Sequence, residues 1–269
     1  MEEMDRYKNW LLINYASENT VKNYHSQTKQ FLTYVKEDMP TEDNITTFFL
    51  HLREQKTSAN TVNTFRNSIN AYCKFKKIEI QLPNPVKPEK KPYEFISPQY
   101  LEEKIIPVIN EIFRNPFKVR AIFYFMFYTG LRKSDIERTT RQDINLEERT
   151  VTLQQMKTKE PVTALFTDQT RKELQRYFNI EPEENNAFNT TAESIDKIFQ
   201  KLKPHFTDVN LHPHLLRHSF ATHCRSVGMK VEDIMILLGH KSIQSTMRYA
   251  HPKIQDIKKE YDKKVNQEE

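Results

Sequence analysis

Between Gln81 and Pro98 the chain carries Pro83, Pro85, Pro88, Pro92 and Pro98, interleaved with Lys87, Lys90 and Lys91. Proline fixes its own φ, lacks an N–H, and pushes the preceding residue out of the helical region. No helix can run through such a stretch, so it divides the chain. The part before it reads as helix throughout, and the part after it reads as mixed. A chain of 269 residues has room for two modest cores. We therefore expect a mainly α protein of two domains with a small β-hairpin or sheet. The expected boundaries are a helical domain at 1–82, a basic linker at 83–97, a second domain at 98–255 and a charged tail at 256–269.

Periodicity supports this division. Asn9–Tyr15 gives a first amphipathic segment. Ser17 or Asn19 can cap a second helix with Val21, Tyr24, Thr28, Phe31, Leu32 and Val35 on one face. Thr41 can cap a third, carrying Ile45, Phe48, Phe49 and Leu52. Ser58 or Asn60 can open a fourth, carrying Val62, Phe65, Ile69, Tyr72 and Phe75. After the linker, Ser97 and Pro98 start a helix that leads into Leu101–Phe113, and another spans Phe117–Tyr128. The one convincing β pattern is Thr150–Gln154 and Pro161–Phe166, a hairpin whose tip, Met156–Glu160, is basic. Helices return at Asp168–Phe178, Ala192–Leu202, Val231–Leu238 and Ile243–Tyr249. One more begins at Pro213 and stops before Gly228.

Composition narrows the function. Only 3 glycines are present, and neither GxGxxG nor GxxxxGK[ST] occurs, which excludes the usual Gly-rich phosphate loops. A net charge of +5 suits a polyanionic partner, because phosphate contacts release condensed counterions. Cys73 and Cys224 lack metal-type spacing and fit a reducing, cytoplasmic setting. The charged start, Met1 to Lys8, reads as no signal peptide. The most apolar run, Ala121–Tyr128, is far too short for a bilayer, so no membrane partner is expected.

Four polar clusters carry possible chemistry. In LHPHLLRHSFATHCR, His214, Arg217 and His218 lie at i, i+3 and i+4 and share a helix face. Cations in the first turns of a helix oppose its dipole, a cost more easily borne where an anion will sit. In YTGLRKSDI, Arg132 follows Gly130 at the end of an apolar helix, and its planar fork suits phosphate oxygens. LLGHKSIQSTMRYAH supplies His240, Tyr249 and His251, and the hairpin tip supplies Lys157 and Lys159. Read singly, each has a plain explanation. Arg132 can cap the carbonyl end of its helix, and the lysines can be a solvated turn. Together they suit attack on a phosphodiester. A tyrosine can form a covalent phosphoryl link, two arginines can neutralise non-bridging oxygens, and a lysine or histidine can protonate the leaving oxygen. No carboxylate cluster suited to two magnesium ions stands out, so a metal-dependent nuclease fits less well.

These segments resemble the boxes of the tyrosine recombinase, or phage integrase, family. GLRKSDI resembles the first arginine box, HLLRHSFATH the H-x-x-R box, and LLGHKSIQSTMRYAH the terminal box, with His240 and Tyr249 nine apart. MKTKEPV resembles the segment that bears the family's lysine. The first four helices look like the family's core-binding domain, so the resemblance covers nearly the whole chain.

The resemblance implies site-specific cleavage and rejoining of DNA strands through a 3′-phosphotyrosyl intermediate, with no cofactor, metal or ATP. Arg132 and Arg217 would clamp the scissile phosphate. His214 would assist proton transfer or bond that phosphate, and His240 would contact it. Tyr249 would be the nucleophile, and Lys157 the general acid, with Lys159 as its rival. Asp135 would be structural. Lys87, Lys90, Lys91, Lys159 and Lys241 are expected to touch DNA. The implied partner is double-stranded DNA carrying a recombination site, held by a homotetramer. Type IB topoisomerase-like strand relaxation and a non-catalytic DNA-binding role are the alternatives.

Overall fold

A computed structural model of the chain describes residues 2–37, 39–88, 94–154 and 161–239. It forms two units, Met1–Pro92 and Tyr93–Glu269. The expectations for Lys90, Lys91, Lys157, Lys159, His240, Lys241 and Tyr249 lie outside the described residues. So do those for a helix at Ile243–Tyr249 and for the tail.

The first unit holds α1 (Glu2–Asn14), α2 (Glu18–Val35), α3 (Glu42–Glu54) and α4 (Ala59–Lys76). Ser17 and Ser58 take the N-cap positions of α2 and α4. Thr41 caps α3 in a reciprocal box, its side chain accepting from the Asn44 N–H while the Asn44 side chain accepts from Thr41 N–H. Phe31, Ile45, Phe48, Phe65 and Ile69 form one buried cluster, and Tyr7, Leu11, Val21 and Tyr72 form another. The proline stretch begins as an extended strap along α4. Arg66 Nε donates to the Pro83 carbonyl at 2.6 Å, and Asn63 exchanges two 2.8 Å hydrogen bonds with the backbone of Val86. Lys87 follows, exposed.

The second unit is built around α7 (Pro116–Thr129), in which every residue from Ala121 to Phe127 is buried. A helix apolar all round belongs in a core, and α7 is enclosed by α6 (Ile106–Ile112), α9 (Asp168–Ile180) and α11 (Pro213–Ser226). Phe123 stacks on Phe199 of α10 (Ala192–Leu202) at 4.8 Å. The segment expected as one helix from Ser97 is α5 (Pro98–Tyr100), a π-helical turn (Leu101–Ile105) and α6. Ser97 caps it by accepting from the Tyr100 N–H at 3.0 Å.

Several short elements go beyond the sequence reading, a helix and a strand among them. A six-residue helix, α8 (Lys133–Arg138), follows Arg132 directly. The hairpin of β2 (Thr150–Gln154) and β3 (Pro161–Leu165) gains β1 (Ile144–Asn145), giving an antiparallel sheet of order β1-β2-β3. Its register pairs Thr150 with Leu165 and Gln154 with Pro161, while β1 reaches only Thr150 and Val151. α12 (Val231–Leu238) has the expected bounds. Cys73 and Cys224 are free and buried, and burial pushes both thiols up to about 11. No described helix is long and apolar enough to cross a membrane.

Candidate active site

The site begins at the corner between α7 and α8. Gly130 closes α7 in the left-handed region, at φ +66°, and its N–H donates to the Met126 carbonyl at 3.1 Å. A Cβ at this position would lie 2.6 Å from Phe220 Cδ1 and 2.7 Å from Leu238 Cδ2. The corner is therefore pressed against α11 and α12 in a way only glycine allows. Two residues later Arg132 stands at the N-cap of α8. It does not cap the carbonyl end of α7. Its backbone N–H donates to Asp135 Oδ2 at 3.1 Å, and its side chain is 44% exposed.

Asp135 holds this corner together. Besides the Arg132 amide, its other oxygen accepts from Arg138 Nη2 at 2.7 Å. The Asp135 amide in turn donates to the Arg132 carbonyl at 2.8 Å. Its role in the described residues is structural.

Arg217 on α11 has a different environment from the one its helical spacing suggests. It is 5% exposed. Nη1 donates to the Gly130 carbonyl at 2.6 Å and Nη2 to the Leu238 carbonyl at 2.8 Å. Both acceptors sit at helix C-termini, where backbone carbonyls lack intrahelical partners and the dipole is negative. Burying a charge requires such partners. These two carbonyls orient the guanidinium without neutralising it. One of them belongs to the residue two before Arg132, so residues 87 positions apart in sequence are locked into one constellation.

His214, one turn before Arg217, is exposed at the surface of α11. Enough of its ring is covered for desolvation to lower its pKa, and the neighbouring charges of Arg217, His212, Arg132 and Lys133 lower it further. The shift favours the neutral ring, which can accept a proton at one nitrogen and donate a hydrogen bond from the other. His212, at the N-cap of α11, is fixed by a 2.6 Å bond between Nδ1 and the Asn210 carbonyl. The same field includes Lys133, whose ammonium is paired with Asp196 of α10. Two arginines, a lysine and two imidazoles around one position suit a phosphodiester anion.

The structure thus brings Arg132, His214 and Arg217 together. Lys87 belongs to the other unit. Lys133, Arg138 and Asp196 were not singled out from sequence. Lys133 stands inside the quoted GLRKSDI box, so its charge was visible there. Asp196 takes part through Lys133, 63 residues away, and Arg138 reaches Gln154 as well as its neighbour Asp135, distant partners that no local pattern announces.

Residues 99–256 match the phage integrase family, and residues 3–80 match the phage integrase N-terminal SAM-like domain. The chain is 27% identical to tyrosine recombinase XerA of Saccharolobus solfataricus, over 94% of this chain and 89% of the relative. Its fold is similar to that of the Tn1549 transposon integrase in complex with circular intermediate DNA, with a TM-score of 0.72 and 17% identity over 97% of this chain and 98% of that one. It is also similar to a lambda integrase dimer bound to a COC′ core site, with a TM-score of 0.73 and 17% identity over 91% and 75% of the two chains.

Proposed function

Because this chain belongs to the phage integrase family, we propose that it works as a site-specific DNA recombinase whose nucleophile is Tyr249. Tyr249 attacks the scissile phosphorus: its hydroxyl proton passes to solvent or through His214, and its oxygen forms the new P–O bond as the P–O5′ bond breaks. The leaving 5′-oxygen takes a proton from Lys157, with Lys159 in the same segment as the rival donor. The product is a 3′-phosphotyrosyl link and a free 5′-hydroxyl. The link keeps the energy of the broken ester, so a 5′-hydroxyl from a second strand can reverse the step on a new partner. No metal, cofactor or ATP enters.

Arg132 and Arg217 clamp the non-bridging oxygens and stabilise the charge of the pentacoordinate state. His214 bonds the phosphate or relays a proton, and His240 contacts the same group. The helical domain, 1–82, and the catalytic domain, 98–255, clamp duplex DNA. The linker at 83–97 tracks the backbone with Lys87, Lys90 and Lys91, and Lys159 and Lys241 make further phosphate contacts. Exchange of two duplexes needs four cleavages, so a homotetramer assembles on DNA, and its setting is the cytoplasm. The tail, 252–269, packs against a neighbouring protomer.

The observation that supports this reading most strongly is the bond from Arg217 to the Gly130 carbonyl, which joins the H-x-x-R helix to the GLR corner. The test uses a nicked duplex recovered from random sequence by its affinity for the protein, incubated with the full chain in EDTA. Wild type should form a covalent protein–DNA adduct, and Arg217→Ala should lose it by about 100-fold or more. An adduct that needs added metal, or that survives Tyr249→Phe unchanged, contradicts the reading.

A further inference from the structure

Arg138 ends α8 and faces the sheet. Its guanidinium makes three bonds at once. Nη2 donates to Asp135 Oδ1 at 2.7 Å, Nε to the Ser134 carbonyl at 3.2 Å, and Nη1 to the Gln154 carbonyl at 3.0 Å. The first two are local to its own helix. The third crosses to the last residue of β2, three residues before Lys157.

That end of β2 is short of restraint from its own sheet. β1 runs beside only Thr150 and Val151, so it does not reach Gln154. Gln154 is opposite Pro161 in a non-hydrogen-bonded pair, an alternation set by the Phe166 N–H donating to the Arg149 carbonyl, so the Gln154 carbonyl points away from β3. Arg138 supplies a donor where neither neighbouring strand does. Its other anchor, Asp135, accepts the Arg132 amide at 3.1 Å. A continuous path therefore runs from the Arg132 amide through the Asp135 carboxylate and the Arg138 guanidinium to the Gln154 carbonyl. It joins the arginine corner to the root of the segment that carries Lys157 and Lys159.

We propose that Arg138 is a positioning residue for proton delivery: it braces the end of β2 against the Arg132 corner, so that the lysine following Gln154 meets the leaving 5′-oxygen. The inference rests on the reading above, in which a lysine of that segment is the general acid. Arg138 touches neither phosphate nor nucleophile in this account. The three bonds use three different nitrogens, Nε, Nη1 and Nη2, a rigid fork that the single ammonium of a lysine does not reproduce.

The two roles, bracing the fold and placing an acid, separate in the chemistry of the leaving group. A 5′-bridging oxygen needs a proton as the P–O bond breaks. A 5′-bridging sulfur leaves as a stable thiolate and needs none. The experiment measures single-turnover cleavage by the full chain on matched duplexes carrying either atom at the scissile position. Arg138→Ala should slow the oxygen substrate by about 10- to 100-fold and the sulfur substrate by less than about threefold. Asp135→Asn, which also loosens the Arg132 amide, should slow both. Arg138→Lys, with one ammonium for two acceptors, should be slow on oxygen and rescued on sulfur. It carries the same comparison should the alanine variant fail to fold. Equal losses on both substrates for Arg138→Ala or Arg138→Lys overturn the inference. A wild type that forms no adduct with either substrate overturns the recombinase reading and the inference with it. A wild type that cleaves both while the variants match it overturns the inference alone.

Discussion

Replacing Gly130 by alanine probes the contact that holds the candidate site together. Two costs add. At φ +66° an L-residue sits in the left-handed region, at about 1–2 kcal/mol. The new Cβ would also lie 2.6 Å from Phe220 Cδ1 and 2.7 Å from Leu238 Cδ2, and overpacking a closed core costs about 1–3 kcal/mol. Phe220 and Leu238 are 5% and 3% exposed, so neither can swing into solvent to make room. The sum is about 2–5 kcal/mol, a large part of a domain's typical stability of about 5–15 kcal/mol. Gly228 provides the control. It has φ +90° with nothing within 4 Å of an added Cβ, so Gly228→Ala carries the conformational cost alone. The two variants should differ by about 1–3 kcal/mol, the packing part. Urea unfolding followed by far-UV circular dichroism measures this. Equal destabilisation by the two substitutions would refute the packing argument. Gly130→Ala should also slow strand cleavage more than Gly228→Ala does, because the Gly130 carbonyl receives Arg217.

Two further outcomes follow from the charges around α11. His214 has a folded-state pKa below its ordinary value of 6.5. Between those two values the unfolded chain binds more protons than the folded one, so stability rises with pH across that window. The contribution is complete above about 6.5 and is lost as the pH falls. A proton NMR titration of the His214 ring should show a midpoint under 6.5, and His214→Gln should flatten this part of the stability–pH curve. A midpoint above 6.5 would contradict the electrostatic picture. Lys133 shares the field of Arg132 and His214 and is paired with Asp196 at the protein surface, where ion pairs are worth little. Lys133→Ala should weaken duplex binding and reduce the slope of log K against log salt by about 0.9. Asp196→Asn, which releases the ammonium, should strengthen binding. Unchanged slopes in both variants would make the pair purely structural.

Much of the fold was legible because the local signals were strong. Thr41 with Asn44, Ser58, Ser97, Thr167 and Thr191 all occupy N-cap positions, and each side chain accepts a backbone N–H there. Apolar periodicity marked α2 to α4, and the all-apolar run marked α7 as the core helix. The elements that were missed are the ones too short to show a period. They include α8 with six residues and β1 with two. The π-helical turn at Leu101–Ile105 is a single widened turn between α5 and α6, too short to leave a period of its own in the sequence.

The residue types of the site were legible, but their environments were not. Helical spacing placed Arg217 on a polar face beside His214. In the structure it is buried and reaches the carbonyl ends of α7 and α12. A signal for this did exist. Gly130 and Gly239 both end helices in the left-handed conformation, leaving terminal carbonyls that a nearby cation can satisfy. Which cation does so depends on the packing of helices far apart in sequence. The same applies to Arg138, whose partner on β2 is 16 residues away.

The central claim is that Tyr249 bonds covalently to DNA, and peptide mapping tests it most directly. Cleavage after Arg248 and Lys253 releases residues 249–253 as a short peptide. The adduct formed in EDTA on the selected nicked duplex is digested with nuclease and trypsin, then sequenced by mass spectrometry. The account predicts a 3′-phosphonucleotide on Tyr249 of that peptide. A nucleotide on any other residue, or an adduct that forms only with added metal, would contradict it.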